Sequence, residues 1–426
     1  MIFRILAAAG AVGLWSGDTL AQTQDPCDAS PAAPVLTLAE ATNRARGADL
    51  RPEAIAAAVE AARAEARIAE YGPPDTVTLQ TEDFPGIGLG EDVDNLQVTG
   101  SYNHTWERGG KKAARRAVAS RGLEVARSAL ALTEAEIAYE VETLYLEAAL
   151  ATRRAEISCD RLAITTRLEN EIRDRVQAAR DPELAASRAR ADRLAAKGEV
   201  SRSRRLAAAQ KAQLAAYWGG TGAFAVETAF LDEVQRAADD GMSIENAAQI
   251  RRLEAMEREA AALADLARAQ AAPNVTWSVG VRNFGFEDDV ALVTGISVPL
   301  RTGRRAEAAH AKAAAERRQA EAVTAAARQR LMREAMGYRR AAEDALLGLE
   351  SLEAELLPEA RRALDLAQSG YRRGAFTYLN VTDAQESLTA LREDRLELLR
   401  TYYVNMAALR RLVAPGATAP DTESVQ

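Results

Sequence analysis

Histidine is almost missing: His104 and His310 are the only two in 426 residues. Two histidines cannot by themselves assemble the usual imidazole-based zinc sites or hydrolytic triads. The first expectation is therefore a protein with no catalytic centre, resident metal or cofactor. Basic excess is also lacking. Lys and Arg number 54 against 62 Asp and Glu, a net charge of −8. Sequence-independent nucleic-acid binding depends on basic surface, so no nucleic acid is expected as a partner. Beyond the N-terminus no run approaches the roughly 20 apolar residues of a membrane-spanning helix. Aromatic residues make up only 5%, too few for a thick conventional core.

Alanine takes up that bulk, in runs such as Ala56–Ala58, Ala207–Ala209 and Ala313–Ala315. It is the best helix former, and its small side chain lets helices approach closely. With 48% apolar and 27% charged residues, the chain is folded rather than disordered. The composition points to long helices joined by thin seams.

The N-terminus has the pattern of a secretory signal over residues 1–21. Arg4 provides the positive flank, Ile5 to Trp15 the apolar run, and Thr19-Leu20-Ala21 a small-residue cleavage site. A short buried helix is the plainer alternative. Residues 22–37 then form an N-terminal periplasmic segment. Gln24-Asp25-Pro26 ahead of Cys27 is unsuited to lipidation. Cys27 and Cys159 are the only cysteines. In an exported chain they permit one disulfide, and two unrelated thiols remain equally open at this point.

An internal duplication organises the rest. The first repeat covers 38–217, a Gly-containing connector 218–242, the second repeat 243–413, and a small polar tail 414–426. Each repeat begins with an amphipathic helical stretch, Leu38–Tyr71 or Ser243–Gln270, ending at proline. The period then changes from helical to alternating. Val275, Trp277, Val279 and Val281 alternate with polar or small residues, as do Leu292, Thr294, Ile296 and Val298 after the turn-like Asn283–Asp289. That pattern predicts a hairpin. Val77 and Leu79, then Leu96, Val98, Tyr102, His104 and Trp106, give a longer counterpart in the first repeat. Both hairpins close on glycine hinges, Gly109-Gly110 and Gly303.

Beyond each hinge a helical pattern runs uninterrupted for about 70 residues, a rod on the order of 100 Å. In the first rod one seam carries Leu123, Ala126, Leu130, Ile137, Val141, Leu144 and Ala148. A second carries Val125, Leu132, Tyr139, Leu146 and Leu150. Two seams imply two helical neighbours, as in a closed ring. The rods end at Ala179-Arg180-Asp181-Pro182 and at Gly370-Tyr371-Arg372-Arg373-Gly374, each followed by a returning helix. Four strands cannot close a barrel alone, and lipid does not tolerate an open edge. Three copies would give twelve strands, an even number within the known range.

The duplicated unit, the Gly-Gly-Lys hinge and above all the second tip, Tyr371 through Gln385, resemble the TolC-type outer-membrane factors over about Leu38 to Val413. The short hairpins and compact connector resemble the CzcC-like branch that serves heavy-metal cation pumps. The resemblance implies a mainly α fold with a small β part, a trimeric α-helical barrel topped by a twelve-stranded β-barrel. It implies a passive outer-membrane exit duct and not an enzyme. The implied partners are two further copies of the chain, a periplasmic adaptor, an inner-membrane RND transporter and outer-membrane lipid. The alternative within the fold is a duct for type I protein secretion or drug export. From another class, a soluble periplasmic coiled-coil scaffold would need no repeated strands.

Family roles transfer to the tips. Tyr371 matches the tyrosine that holds the closed end together, Gly374 the turn glycine that adaptors approach, and Asp383 an acidic ring position at the aperture. A plainer role for Asp383 is a charge that complements the helix dipole. Phe376 stands where a basic latch residue often occurs, Asn380 at a second acidic ring position, Ala179 at the usual glycine, and Ala185 where a latch carboxylate can sit. The resemblance thus implies an ionic latch largely absent, with closure by packing of Phe376 and Tyr371, and adaptor contacts at Ala179, Arg180, Asp181, Pro182 and Gly374. With the rods placed as in this family, Cys159 lies roughly 75 Å below the hinge. Cys27 comes within reach of it, and the expected disulfide would pin the N-terminal segment to the helices.

Three further signals are set down. Gly86-Ile87-Gly88-Leu89-Gly90 sits inside a hairpin with no following helix, so it is a loop rather than a nucleotide cradle. The basic run from Arg188 to Arg205 is a solvated helix face or an adaptor contact. His104 is expected at a membrane interface or in the lumen, and Tyr102, Trp106 and Trp277 in an aromatic girdle or in plain barrel packing.

Overall fold

The computed structural model describes Cys27 and residues 33–82, 96–234, 243–284, 289–300 and 303–415. The secretory signal 1–21, the glycine loop 86–90, the end of the connector (235–242) and the tail from 416 onward lie outside the described residues.

The chain is mainly helical with a small sheet part, in two successive copies of helix, hairpin, long helix and returning helix. In the first copy α1 (Leu38–Ala48) and α2 (Arg51–Ile68) precede β2 (Thr76–Glu82) and β3 (Gln97–Trp106). Then come α3 (Lys111–Gln177) and α4 (Glu183–Ala216). In the second, α5 (Ala248–Ala269) precedes β5 (Val275–Phe284) and β6 (Asp289–Ser297). The long helix follows as α6 (Gly303–Ser351) and α7 (Leu357–Arg372), with α8 (Tyr378–Val413) returning. Two short strands, β1 (Val35–Leu36) and β4 (Ala225–Val226), pair in parallel. They bind the N-terminal segment to the connector, and the buried Tyr145 hydroxyl of α3 donates to the Leu36 carbonyl at 2.9 Å.

Two helical expectations need correction, both through proline. The stretch from Leu38 to Tyr71 is not one helix. Pro52 lies in the first turn of α2, where its ring would meet the carbonyl four residues back if α1 continued. Asp49 is instead extended, with φ −74° and ψ 128°. Its carboxylate accepts from the Arg51 backbone N–H at 2.8 Å and from the Arg51 guanidinium. The second rod is likewise not uniform. Leu352–Leu356 forms a π turn immediately before Pro358, and the wider turn accommodates a ring that an α-helix would reject. The first rod contains no proline and runs unbroken for 67 residues. Ser243–Gln270 also opens with a 3-10 turn, Ile244–Asn246, ahead of α5.

The four long strands form one antiparallel sheet in the order β2-β3-β5-β6. Its register sorts side chains by face. Val77 pairs with Tyr102, Tyr102 with Val279, His104 with Trp277, and Val281 with Leu292. All are therefore on one apolar face, while Thr78, Gln80, Thr99, Ser101, Ser278 and Arg282 share the other. A strand alternates faces at each residue, so the sheet is apolar on one side and hydroxyl-rich on the other. The apolar side chains are uncovered: Val77, Leu292 and Ile296 are all exposed. Gly280 faces the polar side, where a Cβ would lie 2.5 Å from the Gly100 carbonyl oxygen.

The helices extend the same order. Near the strands α3 packs between α2 and α5, and α5 packs on α6. Toward the tips α3 packs between α4 and α8, and α8 on α6 and α7. Both seams read in the first rod contribute to one core cluster. Leu146, Leu214, Leu399 and Val141 are buried in it, and burial of such a side chain is worth about 1.5–3 kcal/mol.

Candidate functional site

The residues singled out for a gate lie where the rods turn back. Both turns have the same backbone plan. At the first, the Ala179 N–H donates to the Val176 carbonyl and the Arg180 N–H to that of Arg175. At the second, Gly374 donates to Tyr371 and Ala375 to Gly370. This is a Schellman ending, which requires one left-handed residue. Gly374 supplies it at φ +78°, and Ala179 supplies it at +56° despite its Cβ. The alanine is the one non-glycine residue with positive φ among the described residues.

Across each turn the same two positions, six residues apart, meet by different chemistry. At the first tip Arg175 pairs with Asp181, Nε to Oδ2 at 2.7 Å. At the second, Gly370 leaves space for Phe376, whose ring would lie 2.1 Å from a Cβ on residue 370. Phe376 is still 48% exposed, whereas Tyr371 is 3% exposed.

The two tips are then bound together. The Tyr371 hydroxyl donates to Asp181 Oδ2 at 2.5 Å. The Arg175 guanidinium lies over the Tyr371 ring, 4.8 Å from its centre, and donates to the Tyr371 carbonyl at 3.3 Å. Arg175 holds the Asp181 carboxyl below its usual range, with the Tyr371 hydroxyl assisting. Burial, then the neighbouring carboxylate, pushes the Tyr371 phenol up, so it stays a donor. A second bond of the same kind lies further up the helices, where the Tyr378 hydroxyl donates to Asp192 Oδ2 at 2.5 Å. Burial and Asp192 raise the Tyr378 phenol likewise.

This arrangement ties the two tips of one protomer together. Tyr371 is held by an ionic clasp through Asp181 and Arg175 rather than by packing on Phe376 alone. Arg175, Tyr378 and Asp192 were not singled out from the sequence. Asp181 turns toward Arg175 and Tyr371, with 15% of its side chain exposed. Arg180, Pro182 and Gly374 are exposed. Asn380 spends its amide oxygen on the Thr377 backbone N–H, at 3.0 Å, as the partner in the α8 capping box. Asp383 lies exposed early in α8 with its carboxylate outside that cap.

At the other end, Gly109 and Gly110 adopt φ +78° and +72°. A Cβ on Gly109 would sit 2.6 Å from Ala272 Cβ. Gly303 opens α6 with open space around a Cβ. His104 is on the apolar face of the sheet, opposite Trp277. Its Nδ1 lies 2.7 Å from Asp75 Oδ1, and Asp75 also accepts from Tyr102. Trp277 packs against both rings. Cys27 and Cys159 are joined by a disulfide, Cα to Cα 5.7 Å. No helix among the described residues is long and apolar enough to cross a membrane, and the same residues hold no cluster of metal-ligating side chains.

Residues 241–414 match the family described as outer membrane efflux protein. The cobalt-zinc-cadmium resistance protein CzcC of Cupriavidus metallidurans is 25% identical over 319 residues, covering 74% of this chain and 76% of that protein. Among solved structures, CusC aligns with a TM-score of 0.74 at 17% identity, covering 89% of this chain and 92% of CusC. VceC of Vibrio cholerae aligns at 0.72 and 20% identity, covering 89% and 96%. The architecture is thus shared well beyond the level at which sequences remain alike.

Proposed function

We propose that this chain is an outer membrane efflux protein, a reading supported by the match over residues 241–414 and by the CzcC relative, and that it works as a closed ring of three copies. In this reading three four-stranded sheets complete a twelve-stranded barrel in the outer membrane, and the helices continue it through the periplasm. The carrying observation is the sheet, apolar on one face and polar on the other, with β2 and β6 each paired on one side only among the described residues. In lipid an unpaired strand edge is untenable, so each β6 edge must meet the β2 edge of another copy.

The apolar face then meets lipid, and Trp106 and Trp277 lie toward the strand ends nearest the helices, where an aromatic girdle belongs, with Tyr102 nearer mid-strand. The polar face lines the lumen. The secretory signal 1–21 directs export. The tips meet a periplasmic adaptor, and an RND-type inner-membrane transporter supplies the cargo. The duct itself performs no reaction. Asp383 from three copies rings the mouth and favours cations over anions. The name of the CzcC relative supports heavy-metal cations as cargo. The Arg175–Asp181–Tyr371 clasp holds the mouth shut at rest.

The test is conductance of purified protein in planar bilayers under a salt gradient. Channels whose reversal potential shows cation preference, reduced in Asp383→Asn, are expected. A wild-type protein that inserts no channels would overturn the proposal.

A further inference from the structure

Charge is almost excluded from the sheet, and what there is lies at one end. In the four long strands Arg282 is the only lysine or arginine, and Glu82 and Asp289 are the only carboxylates. Glu82 closes β2, Asp289 opens β6, and Arg282 lies close to the end of β5. The register aligns these ends. Glu82 pairs with Gln97, Gln97 with Phe284, and Phe284 with Asp289. Arg282 pairs with Thr99 and Ala291, so all three charged side chains share the polar face. They stand away from the helices, with Arg282 roughly 20 Å along β5 from its first residue, Val275.

Arg282 is fixed against the wall from three directions. Its Nε donates to Thr99 Oγ1 at 2.9 Å and one terminal nitrogen donates to Gln97 Oε1 at 3.2 Å. The other terminal nitrogen lies 3.2 Å from Glu82 Oε2. Gln80 Nε2 donates to the second Glu82 oxygen at 2.8 Å. The planar guanidinium fork thus spans β5, β3 and β2 and holds Glu82 beside it. Asp289 is exposed and has no ion pair among the described residues. Of the two carboxylates, one is neutralised in place and one is left to act on its surroundings.

We propose that this end of the lumen is a second charge filter for small ions, separate from the Asp383 mouth, and that Arg282 sets its strength. The proposal rests on the ring reading above. Twelve strands about 4.8 Å apart and tilted about 40° close on a radius on the order of 12 Å. Side chains project inward from that wall, so a passing ion comes within about 10 Å of them, the Debye length at 0.1 M salt. Their charge is therefore felt across the whole bore. Asp289 draws cations, while Arg282 cancels Glu82 and keeps the surplus of these three residues to one negative charge per chain. Without Arg282 that surplus doubles, and without either carboxylate it disappears.

The experiment records the full chain in planar bilayers and reads the potassium-to-chloride permeability ratio from the reversal potential. An Asp383→Asn background keeps the mouth from masking the barrel. With KCl at about 0.01 M against 0.1 M, where the Debye length is about 30 to 10 Å, Arg282→Gln is expected to raise the ratio at least twofold. Glu82→Gln and Asp289→Asn should each lower it at least twofold. Near 1 M salt, where the Debye length is about 3 Å, these differences should shrink to nothing. Arg282→Lys keeps the charge but loses the fork, and should keep the ratio of the unsubstituted barrel. Because Arg282→Gln also removes bonds between strands and can impair folding, Asp289→Asn, which breaks no ion pair, carries the test independently. A ratio unmoved by Asp289→Asn, or shifted in the same sense by Arg282→Gln and Glu82→Gln, overturns the filter while leaving the ring intact. A wild-type protein that forms no channel overturns the ring reading itself.

Discussion

The clasp at the tips gives the sharpest quantitative expectation. Tyr371→Phe removes one hydroxyl and leaves the ring on Arg175 and the Arg175–Asp181 pair in place. The lost bond is 2.5 Å long, joins groups that are mostly buried, and ends on an ionised carboxylate. Hydrogen bonds to charged groups contribute about 1.5–3 kcal/mol. If the clasp exists only in the closed mouth, each protomer loses that amount of preference for closure. At 1.4 kcal/mol per factor of ten, the open-to-closed ratio should rise roughly 10- to 100-fold per clasp released. Single-channel recording reads this as a rise in open probability at unchanged unitary conductance. Asp181→Ala should open the mouth at least as far, because it also strands Arg175. The double variant should add little to the more severe single one, giving a coupling near the value of the bond itself. Gating of Tyr371→Phe indistinguishable from wild type, or strictly additive effects of the two substitutions, would refute the clasp.

Three further expectations concern the tips and the disulfide. Ala179→Gly should stabilise the first tip by up to about 1–2 kcal/mol, the usual penalty of an L-residue in left-handed backbone, less glycine's own entropy cost. A rise in the protein's melting midpoint checks it, and a fall would mean that Ala179 is not held at positive φ. The Asp181 carboxyl is depressed in the folded chain by Arg175 and by the Tyr371 hydroxyl. The clasp is therefore fully present above the unfolded value, near 3.9, and is lost as pH falls through the lower folded one. Open probability should be flat from neutral pH to about 5 and rise only in stronger acid; a rise already between pH 7 and 5 would assign the effect to another group. Cys159→Ser opens a loop of 132 residues, worth about 5 kcal/mol in the chain-entropy account of disulfides. The thermal midpoint should fall, and should equal that of wild type under full reduction.

Much of the architecture was legible in the sequence because it is periodic. The change from helical spacing to strict alternation at Val275 locates β5, and the matching change near Val77 locates β2. The rods show because no proline interrupts residues 111–177. The places that departed carried visible signals of another kind. Pro52 and Pro358 mark the α1–α2 break and the π turn, but apolar spacing continues across both and masks them. Thr377 followed by Asn380 is a capping pattern, which explains why Asn380 is taken up in its own turn.

What the sequence could not reveal is contact between distant segments. Arg175 and Tyr371 are separated by nearly two hundred residues, as are Asp192 and Tyr378. Each belongs to a different repeat, and nothing local distinguishes these tyrosines or carboxylates from their exposed neighbours. The clasp arises only because α3 packs beside α8 and carries the first turn to the second.

The central claim is that this chain completes its sheet and its helical wall with two further copies in the outer membrane. The most direct measurement is membrane fractionation followed by native mass spectrometry of the detergent-extracted protein. The account predicts an outer-membrane protein with the mass of three chains. A soluble periplasmic monomer or dimer would contradict it, because the apolar face and the open edges of the sheet would then have neither lipid nor partner.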